Sequence, residues 1–371
     1  MATLHKMFPG AEMMPTARHR PRRLLRAVVQ AVVIVALTLA LDHVVLVTVF
    51  AEWKRNWRDA ATAYTQAYVR VPWHHDLAPN QESQRPWGKA LYRFRTDRYG
   101  FRTGDCAPGE ADKSKPAVFA VGDSFTEALG VPYEESFVGL MASEAAREGK
   151  AVWNLGVMSF SPVIYHRKIK AAAEKLGLRP TEVHVFLDLS DIMDDALVYH
   201  EANDGSVEMT TSYHWFDTSQ FLLGNFATFR LLYDLWLRLP FGAAAPYEHE
   251  RARWTLDRDL MQRWGRRGLE RAGENLDKIV ALCREWQCHM TLVVYPWPDN
   301  VAAGDRNSIQ VTHWQRWAAS RGVRFVDGFA PLFQEQPEVA LRKYFTQGDA
   351  HFTAQGHRRL FEELRRSNGP F

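Results

Sequence analysis

Apolar and polar positions follow three rhythms along this chain. Between residues 27 and 50 the only strongly polar side chains are Gln30, Asp42 and His43, so the run is long enough to cross a bilayer as a helix. Residues 51–110 carry many aromatics, arginines and prolines with no sustained period, and read as a stalk followed by a docking segment. From residue 117 onward, apolar runs at 117–121, 152–155, 183–189, 290–295 and 323–326 alternate with amphipathic stretches. The first stretch is striped by Phe137, Leu140, Met141 and Ala145, a later one by Leu276, Ile279, Val280 and Cys283. Uninterrupted apolar runs suit strands covered on both faces, and their alternation with helices predicts an α/β domain on a parallel sheet. At about 200–270 the alternation lapses into an aromatic-rich insertion, expected to supply packing and part of a groove.

Charge separates the ends of the chain. Residues 1–26 hold Lys6, Arg18, Arg20, Arg22, Arg23 and Arg26 against Glu12, and setting aside this excess of five turns the overall +3 into −2. A nearly neutral body without a basic stripe argues against nucleic acid as a partner. Basic residues crowd the near side of the apolar run, whereas Glu52, Lys54, Arg55, Arg58 and Asp59 mix signs on the far side. This bias predicts a single-pass anchor: a cytoplasmic tail over 1–23, a transmembrane helix over 24–50, and the remainder in the periplasm or outside a bacterial cell. A removable signal peptide would have a shorter apolar core and a small-residue cleavage site. Asp42 is costly in such a helix and should snorkel, pair with His43 or face a partner helix. Cys283 and Cys288 are close enough to bridge in an oxidising compartment, leaving Cys106 unpaired; three reduced thiols fit the count equally well.

In an open parallel sheet, the loops at the carboxyl ends of the strands gather around the ligand site. Ser124 falls after the first apolar run, Asn154 and Gly156 at the second, Ser190 and Asp191 after the third, and Trp297 after the fourth. Ser124 is either a helix cap or a nucleophile, and a nucleophile needs a base, a group that orients the base, and donors for the oxyanion. Asp349-Ala350-His351 offers the first two. In an extended stretch the outer side chains share one side, so that Asp349 can hold Nδ1 and leave Nε2 for Ser124. Thr353 reads as the cap of a terminal helix carrying Leu360, Phe361 and Leu364. Asp188, Asp191, Asp194 and Asp195 lack the spacing of a calcium loop and are read without a metal. His184 reads as a core histidine, and His357 is expected along the surface of the last helix.

These blocks resemble the SGNH superfamily of GDSL-type hydrolases. "VGDSFTEALGV" is similar to its first block, "WNLGVMSFSP" to the second, "FLDLSDIMDD" to the third and "GDAHFTAQGH" to the last, with "RTDRYGFR" upstream; together they span roughly residues 90–365. The resemblance implies a three-layer α/β/α sandwich on a mostly parallel, five-stranded flavodoxin-like sheet, here occupying residues 111–368. It implies Ser124 as nucleophile, with His351 and Asp349 completing a triad, and no cofactor. Ser124, Gly156 and Ser190 would form the oxyanion hole, Ser190 standing where the family has asparagine. Asp123, Asn154, Asp191 and Trp297 are candidates for substrate contact, with Trp297 as a sugar-stacking surface. Thr126 in place of a second glycine separates the chain from the Gly-x-Ser-x-Gly elbow. Members with an anchor and an Asp-x-His pair resemble proteins of cell-envelope O-acetylation. The implied activity is therefore ester hydrolysis or O-acyl transfer on exported carbohydrate, alongside envelope polysaccharide machinery. The alternative is a degenerate scaffold that binds or assembles glycans.

Overall fold

The computed structural model describes residues 20–49, 67–87, 90–105, 112–210, 222, 225–238 and 250–368. After the helix Arg20–Thr48 comes a hairpin of β1 (Tyr68–Val71) and β2 (His74–Leu77), then β3 (Glu82–Trp87), β4 (Ala90–Thr96) and β5 (Arg102–Thr103). β6 (Ala117–Gly122), β7 (Ala151–Asn154) and β8 (Glu182–Leu187) follow, with helices between them. A second hairpin, β9 (Tyr199–Glu201) and β10 (Val207–Met209), precedes β11 (His289–Val294) and β12 (Arg324–Asp327).

The five expected strands lie side by side and parallel in the order β12-β11-β8-β6-β7. Counted along the chain this order is 2-1-3-4-5, the doubly wound arrangement, and its switch point falls between β6 and β8. Every residue of β6 is buried, as an apolar run covered on both faces requires. Right-handed crossovers put the helix Phe137–Arg147 on one face and Pro162–Leu176 and Arg266–Trp286 on the other, because the strand order reverses after β7. The packing follows this division: Phe137–Arg147 lies against the terminal helix Ala354–Asn368, and Pro162–Leu176 against Arg266–Trp286.

The sheet is larger than the five strands expected. β5, β4 and β3 continue it antiparallel beyond β7, giving eight strands. Thus part of the segment read as stalk and docking piece is sheet. β4 has one buried face, with Tyr92, Phe94 and Thr96 inside and Leu91 outside. Arg85 of β3 is fully buried against the Phe94 ring.

Cys283 and Cys288 are joined by a disulfide across the end of Arg266–Trp286, where Gln287 at φ 59° turns the chain towards β11. Cys106 lies outside the described residues. The first helix contains a 24-residue stretch, Leu25–Thr48, that is long and apolar enough to cross a membrane. Asp42 turns to the insertion rather than to His43: its carboxylate accepts from the Thr228 amide at 3.0 Å and the Thr228 hydroxyl at 2.5 Å. His43 Nδ1 donates to the Asn225 carbonyl at 2.9 Å.

Candidate active site

Ser124 leaves β6 at the first position of a short helix, Ser124–Glu127, whose cap is Asp123: the carboxylate accepts the Phe125 amide at 3.0 Å. Two close backbone approaches fix this turn. A Cβ on Gly122 would stand 2.1 Å from Thr126 Oγ1, and one on Gly156 would stand 2.6 Å from the Glu127 nitrogen, so neither position admits a side chain without displacing the serine turn.

The loop 345–352 brings the other two groups across the molecule. Thr346 donates its amide to the His351 carbonyl at 2.8 Å, and Asp349 donates to the Thr346 carbonyl at 3.0 Å, with Gly348 at φ 75° closing the turn. His351 Nδ1 lies 2.5 Å from Asp349 Oδ1, and His351 Nε2 lies 2.8 Å from Ser124 Oγ. The Phe125 ring stacks on the imidazole at 4.8 Å, and the Trp87 ring meets it edge-on at 4.9 Å. These two contacts fix the ring plane. Burial alone would lower the imidazole pKa, but the Asp349 carboxylate, helped by Asp123 and Asp188, raises it above its ordinary value. Burial likewise opposes ionisation of Asp349, and the imidazole overcomes it, holding that carboxyl below its ordinary value.

Three buried carboxylates, Asp123, Asp188 and Asp191, back the serine with oxygen atoms within 4.8 Å of one another. Each is held by protein donors. Asp188 accepts the Ser190 hydroxyl at 2.6 Å and Trp297 Nε1 at 2.5 Å, while Asp191 accepts the Tyr165 hydroxyl at 2.5 Å and the Asp188 amide at 2.9 Å. Burial and the neighbouring Asp188 push Asp123 up to about 8, and burial with Asp123 pushes Asp191 well above the carboxylate range. Asp123 and Asp191 thus favour their protonated forms beside Ser124, whose Oγ stands 3.1 Å from Asp123 Oδ2.

The geometry gives several of the expected site residues partners within the protein. The Ser190 amide and hydroxyl both point to Asp188 Oδ2, so neither is aimed at an oxyanion. The Gly156 amide donates to Asn154 Oδ1 at 2.8 Å, and Asn154 Nδ2 donates to the Thr126 carbonyl at 2.7 Å. Asn154 therefore braces two loops. Asp191 is fully buried, and Trp297 is only 7% exposed with its N–H on Asp188. Asp123 contacts Ser124 itself. The Ser124 amide, at the first turn of its helix, has no intrahelical acceptor. His357 is buried at Nδ1 hydrogen-bond distance, 3.4 Å, from the Phe137 amide, not spread along the helix surface. His184 is buried as expected. Asp194 pairs with Arg251 at 2.5 Å and Asp195 accepts from Ser161 at 2.6 Å, so both tie the insertion and a helix start to the sheet.

Trp87, Phe125 and Tyr295 were not singled out by their sequence positions. Phe125 adjoins the serine in the chain, and Tyr295 ends the fourth apolar run; Trp87 arrives from β3, and only the alternation of β4 signals that a sheet edge exists there.

A serine, an imidazole and a carboxylate stand in line at the carboxyl edge of a doubly wound sheet, the arrangement that nucleophilic acyl transfer requires. No family model matches the chain, and no curated protein matches it. Among solved structures it is similar to a lipolytic protein of the G-D-S-L family from Veillonella parvula, with 15% identity, 69% of this chain and 99% of that one covered, and a TM-score of 0.39. It is similar also to TesA, at 14% identity, 68% and 98% coverage and a TM-score of 0.39. A GDSL-like lipase from Bacteroides thetaiotaomicron shows 10% identity, 69% and 89% coverage and a TM-score of 0.37.

Proposed function

We propose that the chain is a membrane-anchored serine esterase or O-acyltransferase of the SGNH type, acting on acyl esters of exported or cell-envelope carbohydrate. The observation that carries the reading is the Asp349–His351–Ser124 line, with 2.5 Å and 2.8 Å between successive groups. As Ser124 Oγ bonds to the ester carbonyl carbon, its proton passes to His351 Nε2, and Asp349 stabilises the resulting imidazolium. The Ser124 amide donates to the tetrahedral oxyanion, joined by the Gly156 amide when it releases Asn154. The carbon–oxygen bond to the alcohol then breaks, and His351 returns the proton to the departing alkoxide. Water completes hydrolysis of the acyl-serine; a sugar hydroxyl completes transfer. The apolar stretch Leu25–Thr48 with arginines before it supports the anchor and a periplasmic catalytic domain.

A second reading, a glycan-binding or assembly protein on the same scaffold, is favoured by one observation: Ser190, where the superfamily has an oxyanion asparagine, is spent on Asp188. The two readings separate on p-nitrophenyl acetate. The enzyme reading expects release of p-nitrophenol by the full chain and its loss in Ser124→Ala, with acetyl mass gained by an added oligosaccharide if the chain transfers. Equal release by both proteins would overturn it.

A further inference from the structure

The insertion between β8 and β11 contains the helix Ala227–Arg238, which packs against the first helix. Its start is fastened there. The Asp42 carboxylate takes the amide and hydroxyl of Thr228, so that a negative charge sits at the positive end of the second helix, and His43 holds the carbonyl of Asn225. Leu46, one turn on, is only 1% exposed, whereas the apolar side chains preceding Asp42 stand open. Away from this junction Phe229, Leu231, Leu232 and Leu235 project into the surroundings, each more than 40% exposed. Positions 228, 231, 232 and 235 share one face at helical spacing.

The height of this junction follows from helix geometry. At a rise of about 1.5 Å per residue, Leu25 to Asp42 spans about 26 Å, close to the roughly 30 Å hydrocarbon core of a bilayer. Asp42 therefore lies in the outer part of the span, near the far interface, and the helix fastened to it starts close to that interface with an exposed apolar face.

Resting on the anchor reading above, we infer that the helix Ala227–Arg238 lies in the outer interface of the same membrane, with Phe229, Leu231, Leu232 and Leu235 among headgroups and upper acyl chains. The occupant of the apolar face is lipid because the helix is fastened at Thr228 to the span itself, whose own apolar side chains before Asp42 stand equally open. An amphipathic helix beside an anchor holds the catalytic domain at two points and directs its site to substrate presented at the membrane surface.

The test uses the full chain with Cys106→Ser, reconstituted in phosphatidylcholine vesicles and labelled with an environment-sensitive fluorophore at one introduced cysteine. Leu232→Cys reports on the insertion helix, Val33→Cys on the span, and Val339→Cys, on an exposed position of the catalytic domain, provides the reference. The Leu232 label is expected to lose most of its emission to lipid spin-labelled high on the acyl chain, to shift to the blue, and to resist aqueous iodide that quenches the Val339 label. The Val33 label is expected to be quenched by lipid spin-labelled near the chain end. A Val33 label that behaves so beside a Leu232 label open to iodide overturns the lipid contact while leaving the anchor intact. A Leu232 label shielded from iodide yet untouched by spin-labelled lipid means protein contact with another copy and also overturns it. A Val33 label open to iodide overturns the anchor and the inference together.

Discussion

Ser124 Oγ and His351 Nε2 stand 2.8 Å apart although 227 residues separate them in the chain. The contact is made by two rigid devices, the glycine-bounded turn after β6 and the hydrogen-bonded loop before the terminal helix. Asp349 closes the second device by accepting both the amide and the Nδ1 proton of His351. Asp349→Asn would keep the shape but present an amide that can favour the wrong imidazole tautomer. Ester turnover is expected to fall on the order of 10⁴-fold with little change in melting temperature, which steady-state kinetics and a thermal melt together check.

The same pair sets a pH dependence. His351 acts as a base only when neutral, and its pKa is raised above the ordinary value of about 6.5 despite burial. Activity should therefore fall as pH decreases through a midpoint above the ordinary histidine value. Asp349→Asn removes the largest raising influence, so residual activity should show its acid limb at lower pH. A pH profile of kcat/KM reads both.

Asp123 makes a prediction about stability. Its native carboxyl keeps its proton up to about 8, whereas an unfolded aspartate releases it near about 3.9. Between these values folding takes up a proton, so this group's contribution is greatest in acid and is lost as pH rises. Asp123→Asn retains the cap and cannot ionise. Its melting temperature relative to the parent should rise between about pH 5 and about pH 8, by roughly 2–4 °C for each kcal/mol regained. A gap that does not change with pH would contradict the assigned protonation.

Trp87 gives a third handle. Its ring is seated against Gly130, where a Cβ would come within 2.8 Å of Trp87 Cδ1, and it meets His351 edge-on. Trp87→Ala loosens the imidazole without touching its partners. A loss of roughly tenfold to a hundredfold in kcat is expected, with Trp87→Phe recovering most of it. Equal loss in both variants would mean the ring does something other than position His351.

The sequence made legible what depends on local rhythm and on chemistry that few residues can perform. Five apolar runs became the parallel strands within a residue or two, and Ser124, Asp349 and His351 stood out because a nucleophile, a base and an orienting acid have few substitutes. β3 to β5 stayed hidden because arginines and a proline interrupt them. Arg85 is buried on aromatic faces beside Glu127, a placement that composition argues against until the tertiary partners are known. The protein partners of Asn154, Ser190, Asp191 and Trp297 are illegible in the sequence for a related reason. Each lies at the functional edge of the sheet, but whether a polar group there faces inward or outward depends on side-chain direction: Asp188 gathers Ser190 and Trp297, and Asn154 bridges Gly156 to Thr126.

The reactivity of Ser124 is the claim on which the rest stands, and covalent labelling reads it most directly. The full chain in detergent is treated with a fluorophosphonate, digested, and mapped by mass spectrometry. One adduct is expected, on Ser124, slowed sharply by His351→Ala and absent in Ser124→Ala. An unlabelled protein, or an adduct whose formation is indifferent to both substitutions, would contradict it.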